Sequence, residues 1–238
     1  MKIFVYLFFV FLNLNAELVL EITESSDNPY RIAIHNFDGQ ASISNEISAI
    51  IKADLQRTGE FSVLSSDDLL TEEVYQEELN YKNYRLLGVD YILKGKINSK
   101  DRVNITVSYD IYDSVKEKKI RSSKIYGIPN KTRQLAHYVS DGIYEEITGL
   151  KGISSTKMLY VSEDVEGSAK AYKLMLADAD GMNEQILLKS NSAIISPSWS
   201  PDSKDIAYVS FETGLAKVFI QNIATGSREV AVKNKYQI

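Results

Sequence analysis

The sequence predicts an α/β amino-terminal domain followed by the first blades of an all-β propeller, and two observations carry that reading. Up to about residue 150, apolar residues switch between strand spacing and helix spacing, as they do where helices cover a sheet. Beyond it one pattern occurs twice: KMLYVS at 157–162 aligns with DIAYVS at 205–210, and Gly181 aligns with Gly226, offsets of 48 and 45 residues. Such a period suits a propeller blade of four strands.

Residues 1–16, MKIFVYLFFVFLNLNA, combine one lysine, a short apolar run and a small final residue, the pattern of a secretory signal peptide. The run is short for a membrane span, so the mature chain is expected to begin at Glu17. Glu17, Leu18, Val19, Leu20, Glu21 and Ile22 then form an apolar, strand-like arm that TESSDNP breaks off. Residues 30–37 read as the first strand inside a sheet, with Ile32 and Ile34 on one side. A helix is expected over 42–58, because Ile43, Ile47, Ile50, Ile51 and Leu55 share a face, a serine is available as N-cap and Gly59 can end it.

Residues 61–64 make a second short strand, 81–87 a helix and 88–97 a further strand. The acidic run around Glu72 to Glu78 reads as a solvated face. Val103, Ile105, Val107, Tyr109 and Ile111 alternate with polar residues over 102–113, so one face of that strand is wet. The turn SVKEKK leads into an antiparallel partner at 120–126. Leu135, Val139, Ile143 and Ile147 step by four along a last helix that Gly149 closes, giving a domain of two layers.

In the repeats, residues 194–210 hold a hairpin around Ser-Pro-Asp-Ser-Lys. Pro201 presets φ at the second turn position, and Asp202 and Ser203 can bond back to the turn backbone. Ile206, Tyr208 and Phe211 supply its packed face, and Trp199, at a fixed place in the repeat, is expected to pack one blade on the next. The first repeat carries three strands, around Leu159, Leu174 and Leu187, and the second carries four, beginning near Ser198. Because about three repeats are needed for a continuous core, residues 17–150 are expected to fold alone and about 155–238 to pack loosely.

Candidate chemistry is sparse. The chain has no cysteine, which excludes disulfides, a thiolate metal site and a lipid-modified amino terminus, and its net charge of −5 argues against nucleic acid as a partner. His137 shares a helical face with Arg133 and Asp141 and reads as part of a solvated polar surface; His35 reads as a packed strand residue. Residues 177–185, ADADGMNEQ, fail the spacing of a calcium loop and read as a polar hairpin turn. No phosphate loop, nucleophile elbow or zinc-protease motif occurs, so no catalytic, cofactor or metal site is expected.

The repeat PSWSPDSKDIAYVS with FIQNIATG, the strand LGVDYILKGKI and the helix exit SDGIYEEITGLKG at 140–152 resemble segments of the TolB family, periplasmic proteins of the Tol-Pal system. The order of leader, arm, α/β domain and propeller is similar too, and the likeness covers essentially the whole chain. His35 and Asn36 depart from it, standing where the family tends to have a Val-Pro-like sequence. The resemblance implies a signal peptide at 1–16, an α/β domain at 17–150 with its arm at 17–22, and a partial propeller at 151–238. Since the family's propeller has six blades, a chain truncated after about two is expected.

By the same resemblance the protein is a non-catalytic periplasmic adaptor linking inner-membrane TolA to outer-membrane Pal, supporting outer-membrane integrity and invagination at division. Glu17, Leu18, Val19, Leu20, Glu21 and Ile22 would contact TolA, and the propeller face would bind Pal, an ability expected to be lost with two blades. The alternative is the propeller fragment of a secreted hydrolase or peptidase. The junction SDGIYEEITGLKG and the α/β domain before it discriminate against that reading.

Overall fold

A computed structural model describes residues 28–64, 79–99, 103–166 and 169–231. The leader, the arm at 17–22 and the acidic run at 72–78 lie outside the described residues.

The first half runs β1 (Tyr30–Ile34), α1 (Ala41–Arg57), β2 (Phe61–Leu64), α2 (Tyr81–Leu86), β3 (Tyr91–Ser99), β4 (Ile105–Asp113) and β5 (Lys118–Gly127). A 3₁₀ turn (Pro129–Lys131) then leads into α3 (Thr132–Thr148). The sheet order is β2-β1-β3-β4-β5. The crossover through α1 makes β1 and β2 parallel, β1 and β3 are parallel too, and short connections make the β3-β4 and β4-β5 pairs antiparallel.

Strand alternation places Ile32, Ile34, Leu93, Ile105, Val107 and Ile111 on the face that α1 and α3 cover, where all are buried. Each such side chain contributes about 1.5–3 kcal/mol when fully withdrawn from water. The two-layer expectation needs a correction at one end. Ala33 and Ile92 point to the opposite face and pack with Tyr84 of α2, which adds a third layer there.

Other boundaries differ for local reasons. Gln40, not a serine, caps α1, and without a side-chain bond. Ser44 and Ser48, one and two turns in, instead tie the helix to Phe37: Ser44 donates to its carbonyl and Ser48 Oγ accepts its N–H at 3.2 Å. Val103 falls ahead of β4 and stays 64% exposed.

Among the described residues the second half holds strands alone: β6 (Lys157–Glu166), β7 (Ala169–Asp178) and β8 (Gln185–Ser190) form one sheet, and β9 (Ile194–Trp199), β10 (Asp205–Ser210), β11 (Lys217–Asn222) and β12 (Arg228–Val230) form another. The repeat is visible in register. Lys157 pairs with Asp178 across β6 and β7 as Asp205 pairs with Asn222 across β10 and β11. Gly181 and Gly226 turn the chain after each pair with φ of +81° and +70°.

In the hairpin before β10, the Ser203 N–H closes on the Ser200 carbonyl at 2.9 Å, which puts Pro201 second in the turn. The polar bonds come from Ser200 and Asp202, since Ser200 Oγ donates to Asp202 at 2.7 Å and accepts the Asp205 N–H at 3.0 Å. Ser203 takes φ of +57° instead of bonding back. Phe211 lies past the end of β10, and Ser210 occupies the third buried position. Leu174 of the first sheet and Ile194, Ile206, Tyr208 and Phe219 of the second share one core, with Trp199 packed against it. Gln221 of β11 adds a bond to the Leu187 carbonyl of β8 at 3.3 Å, a polar contact between the two sheets. Among the described residues, no helix is long and apolar enough to cross a membrane.

Candidate functional site at the domain junction

Helix α3 has two working faces. Leu135, Val139 and Ile143 enter the sheet core, while Arg133, His137 and Asp141, also four apart, line up on another side. The second face meets α1 and the turn between β7 and β8. Asp54 on α1 is 1% exposed and accepts bonds from Ser140 at 2.8 Å and Arg57 at 3.1 Å, and its Oδ2 lies 2.7 Å from His137 Nδ1. Burial pushes the Asp54 carboxyl up, but the bonds from His137 and Ser140 outweigh it and hold the group below the usual carboxylate range.

From the first blade, Asp180 reaches onto α3, where Arg133 donates to its Oδ2. The same oxygen is 3.8 Å from His137 Nε2, a buried nitrogen without a hydrogen-bond partner among the described residues. Asp141 holds the connection between the halves, accepting the N–H groups of Ser154 at 2.7 Å and Ser155 at 3.0 Å. Just before this clasp, Gly149 ends α3 in the left-handed conformation, φ +74°, which a glycine adopts without strain. A cleft of about 540 Å³ opens beside the cluster, lined in part by Glu46, Thr132, Arg133, His137, Lys157 and Asp178. Burial raises the Asp178 carboxyl, yet Lys157 and Asn183 bond to it and bring it below its ordinary value.

Asp54, His137 and Asp180 place ligand-type atoms within 4.8 Å of one another. They do not suit a metal. Arg133 occupies Asp180, and the Asp54 oxygens already face Arg57, Ser140 and the ring of His137. Ser140, the one hydroxyl here bonded to the Asp54–His137 pair, also donates to the Ala136 carbonyl and lies in the protein interior. The arrangement is therefore a charged contact between two halves of the chain.

The expectation of a solvated face for His137 is corrected by this contact: the ring is 2% exposed because α1 and the first blade close over it. No spacing within α3 announces that. His35 is packed as expected, its Nε2 2.7 Å from the Tyr84 hydroxyl, and burial pushes its pKa down to about 4. Residues 177–185 form the β7–β8 turn, as read, but the reach of Asp180 was not legible in them. Trp199 lies with Leu176 of the first blade and Ile223 of the second around an apolar hollow, in keeping with blade-on-blade packing. The arm residues proposed to contact a partner lie outside the described residues.

Comparison with known proteins finds each half similar to a part of one family. Residues 18–120 match the family model of the TolB amino-terminal domain, and residues 144–238 match that of the TolB beta propeller domain. The Tol-Pal system protein TolB of Alcanivorax borkumensis is 39% identical over 215 residues, which cover 90% of this chain and 49% of that protein. Its counterpart in Xanthomonas oryzae pv. oryzae is 34% identical over 216 residues, again 90% of this chain and 49% of the relative. The crystal structure of TolB from Acinetobacter baumannii is similar with a TM-score of 0.78 at 34% identity, covering 88% of this chain and 51% of that one. The chain spans about half the length of the relatives it matches. With an α/β domain matching one TolB model and paired blade sheets matching the other, in that order, the chain belongs to the TolB family.

Proposed function

We propose that the chain is a periplasmic adaptor of the Tol-Pal system that works without catalysis, joining TolA at the inner membrane to Pal at the outer membrane and so supporting envelope integrity and invagination during division. The observation that carries this reading is the likeness to TolB over 90% of the chain, running unbroken from the α/β domain through the junction into the blades. Glu17, Leu18, Val19, Leu20, Glu21 and Ile22 serve as the TolA-contacting arm. Their physics suits the task, since a free apolar strand can add to the edge of a partner's sheet with backbone bonds giving affinity. The propeller face is the surface for Pal.

The test is capture of purified TolA and Pal ectodomains by the full chain and by a chain lacking residues 17–22. The deletion is expected to abolish TolA capture while far-UV circular dichroism stays unchanged. Undiminished capture by the deleted chain would move the site elsewhere, and hydrolysis of peptide or ester substrates would argue for an enzyme.

A further inference from the structure

His137 sits between two carboxylates that belong to different halves of the molecule, Asp54 of α1 and Asp180 of the first blade. We propose that Asp54, His137 and Asp180 form a proton-dependent latch between the α/β domain and the first blade, closed when the ring of His137 carries both protons.

Hydrogen-bond accounting leads to the latch. Nδ1 lies 2.7 Å from an Asp54 oxygen that can only accept, so the ring's first proton resides there. In the neutral ring, Nε2 then presents a lone pair to the Asp180 oxygen 3.8 Å away, two acceptors with no proton between them. A second proton converts this into a charge-assisted contact across the domain boundary. Burial raises the Asp54 carboxyl but the bonds from His137 and Ser140 outweigh it, and the imidazole is the member of the cluster with a second nitrogen open to a proton.

The other charges facing the ring are already engaged. On α1, Arg57 bonds the second oxygen of Asp54 and Glu46 accepts from Thr132 at 3.1 Å. Arg133 of α3 is on Asp180, and in the blade Lys157 is on Asp178. Asp141, one turn beyond His137, is committed to the linker amides. The latch is thus separate from the hinge. Gly149 and the clasped linker can remain in place while the Asp180 contact opens and the β7–β8 turn moves off α3.

The experiment uses the full chain, which has no native cysteine, with spin labels at Ala53→Cys on α1 and Lys189→Cys on β8. Distance distributions are recorded between pH 5.5 and pH 8.0, the range in which imidazole side chains exchange their proton. The ratio of open to closed molecules should rise about tenfold over that range, the size of one charge-assisted hydrogen bond. His137→Gln should abolish the pH response, and Asp180→Asn, which keeps the shape of the side chain, should do the same. A wild-type distribution that is constant with pH, or a response that survives in either variant, overturns the proposal.

Discussion

Arg133 on α3 grips the carboxylate of Asp180 on the β7–β8 turn, a contact between residues 47 positions apart that joins the α/β domain to the first blade. The Asp180 side chain is only 8% exposed and the Arg133 side chain 26% exposed, so the contact is largely withdrawn from water. Truncating one partner of a buried pair strands the other. Arg133→Ala is therefore expected to lower stability by about 1–3 kcal/mol in urea unfolding. Arg133→Lys should recover only part, because an ammonium is a point charge without the fork. A midpoint unchanged in Arg133→Ala would show that water replaces the guanidinium at no cost.

Gly152 lies under Asp141. A Cβ added there would come within 2.5 Å of the Asp141 Cα and of its Oδ1, the oxygen that holds the Ser154 amide. Gly152→Ala is expected to push Asp141 off the linker, with a loss of about 1–3 kcal/mol typical of overpacking. Limited proteolysis between residues 149 and 156 should speed up several-fold relative to wild type. An equal cleavage rate would mean that the Asp141 clasp does not restrain the linker.

His35 makes the protein acid-sensitive. Its pKa in the folded chain is about 4, depressed first by burial and then by Lys94 and Lys52, against 6.5 for the free side chain. Below pH 6.5 the unfolded chain therefore binds the extra proton and the folded chain does not, so stability falls as pH drops from 6.5 towards 4. The loss amounts to roughly 3 kcal/mol at the lower end. Urea midpoints measured at pH 7.5, 6 and 5 should decline in step, and His35→Gln should flatten the upper part of that decline. Asp54, depressed in the folded state, acts in the same direction at lower pH as its carboxylate is protonated.

Trp199 is the only tryptophan, and it sits in the blade pair, whereas α1 and α3 carry most of the helix signal. Tryptophan emission and ellipticity at 222 nm therefore report different halves of one molecule. The α/β domain has the larger continuous core, so the emission change is expected at a lower urea concentration than the loss of helix. Coincident transitions would show one cooperative unit held together through the Arg133–Asp180 junction.

Local periodicity made much of this fold legible in the chain alone. Leu135, Val139 and Ile143 announce a helix face, and Ile105, Val107, Tyr109 and Ile111 a strand face, because residues that close in sequence must follow the geometry of the backbone. The repeat likewise carried the strand counts of three and four, since each blade is built from neighbouring hairpins.

Only the tertiary structure decided what became of the polar groups. Arg133, His137 and Asp141 have the spacing of a solvated helix face, and nothing within α3 distinguishes that outcome from burial. His137 is buried against Asp54, 83 residues away, and Arg133 is engaged by Asp180, 47 residues away, while Asp141 holds the amides of Ser154 and Ser155. The third layer beneath Tyr84 and the serines that tie α1 to Phe37 have the same origin. Such contacts join segments with no shared period, so their partners emerge only when the sheet and the blades bring them within bonding distance.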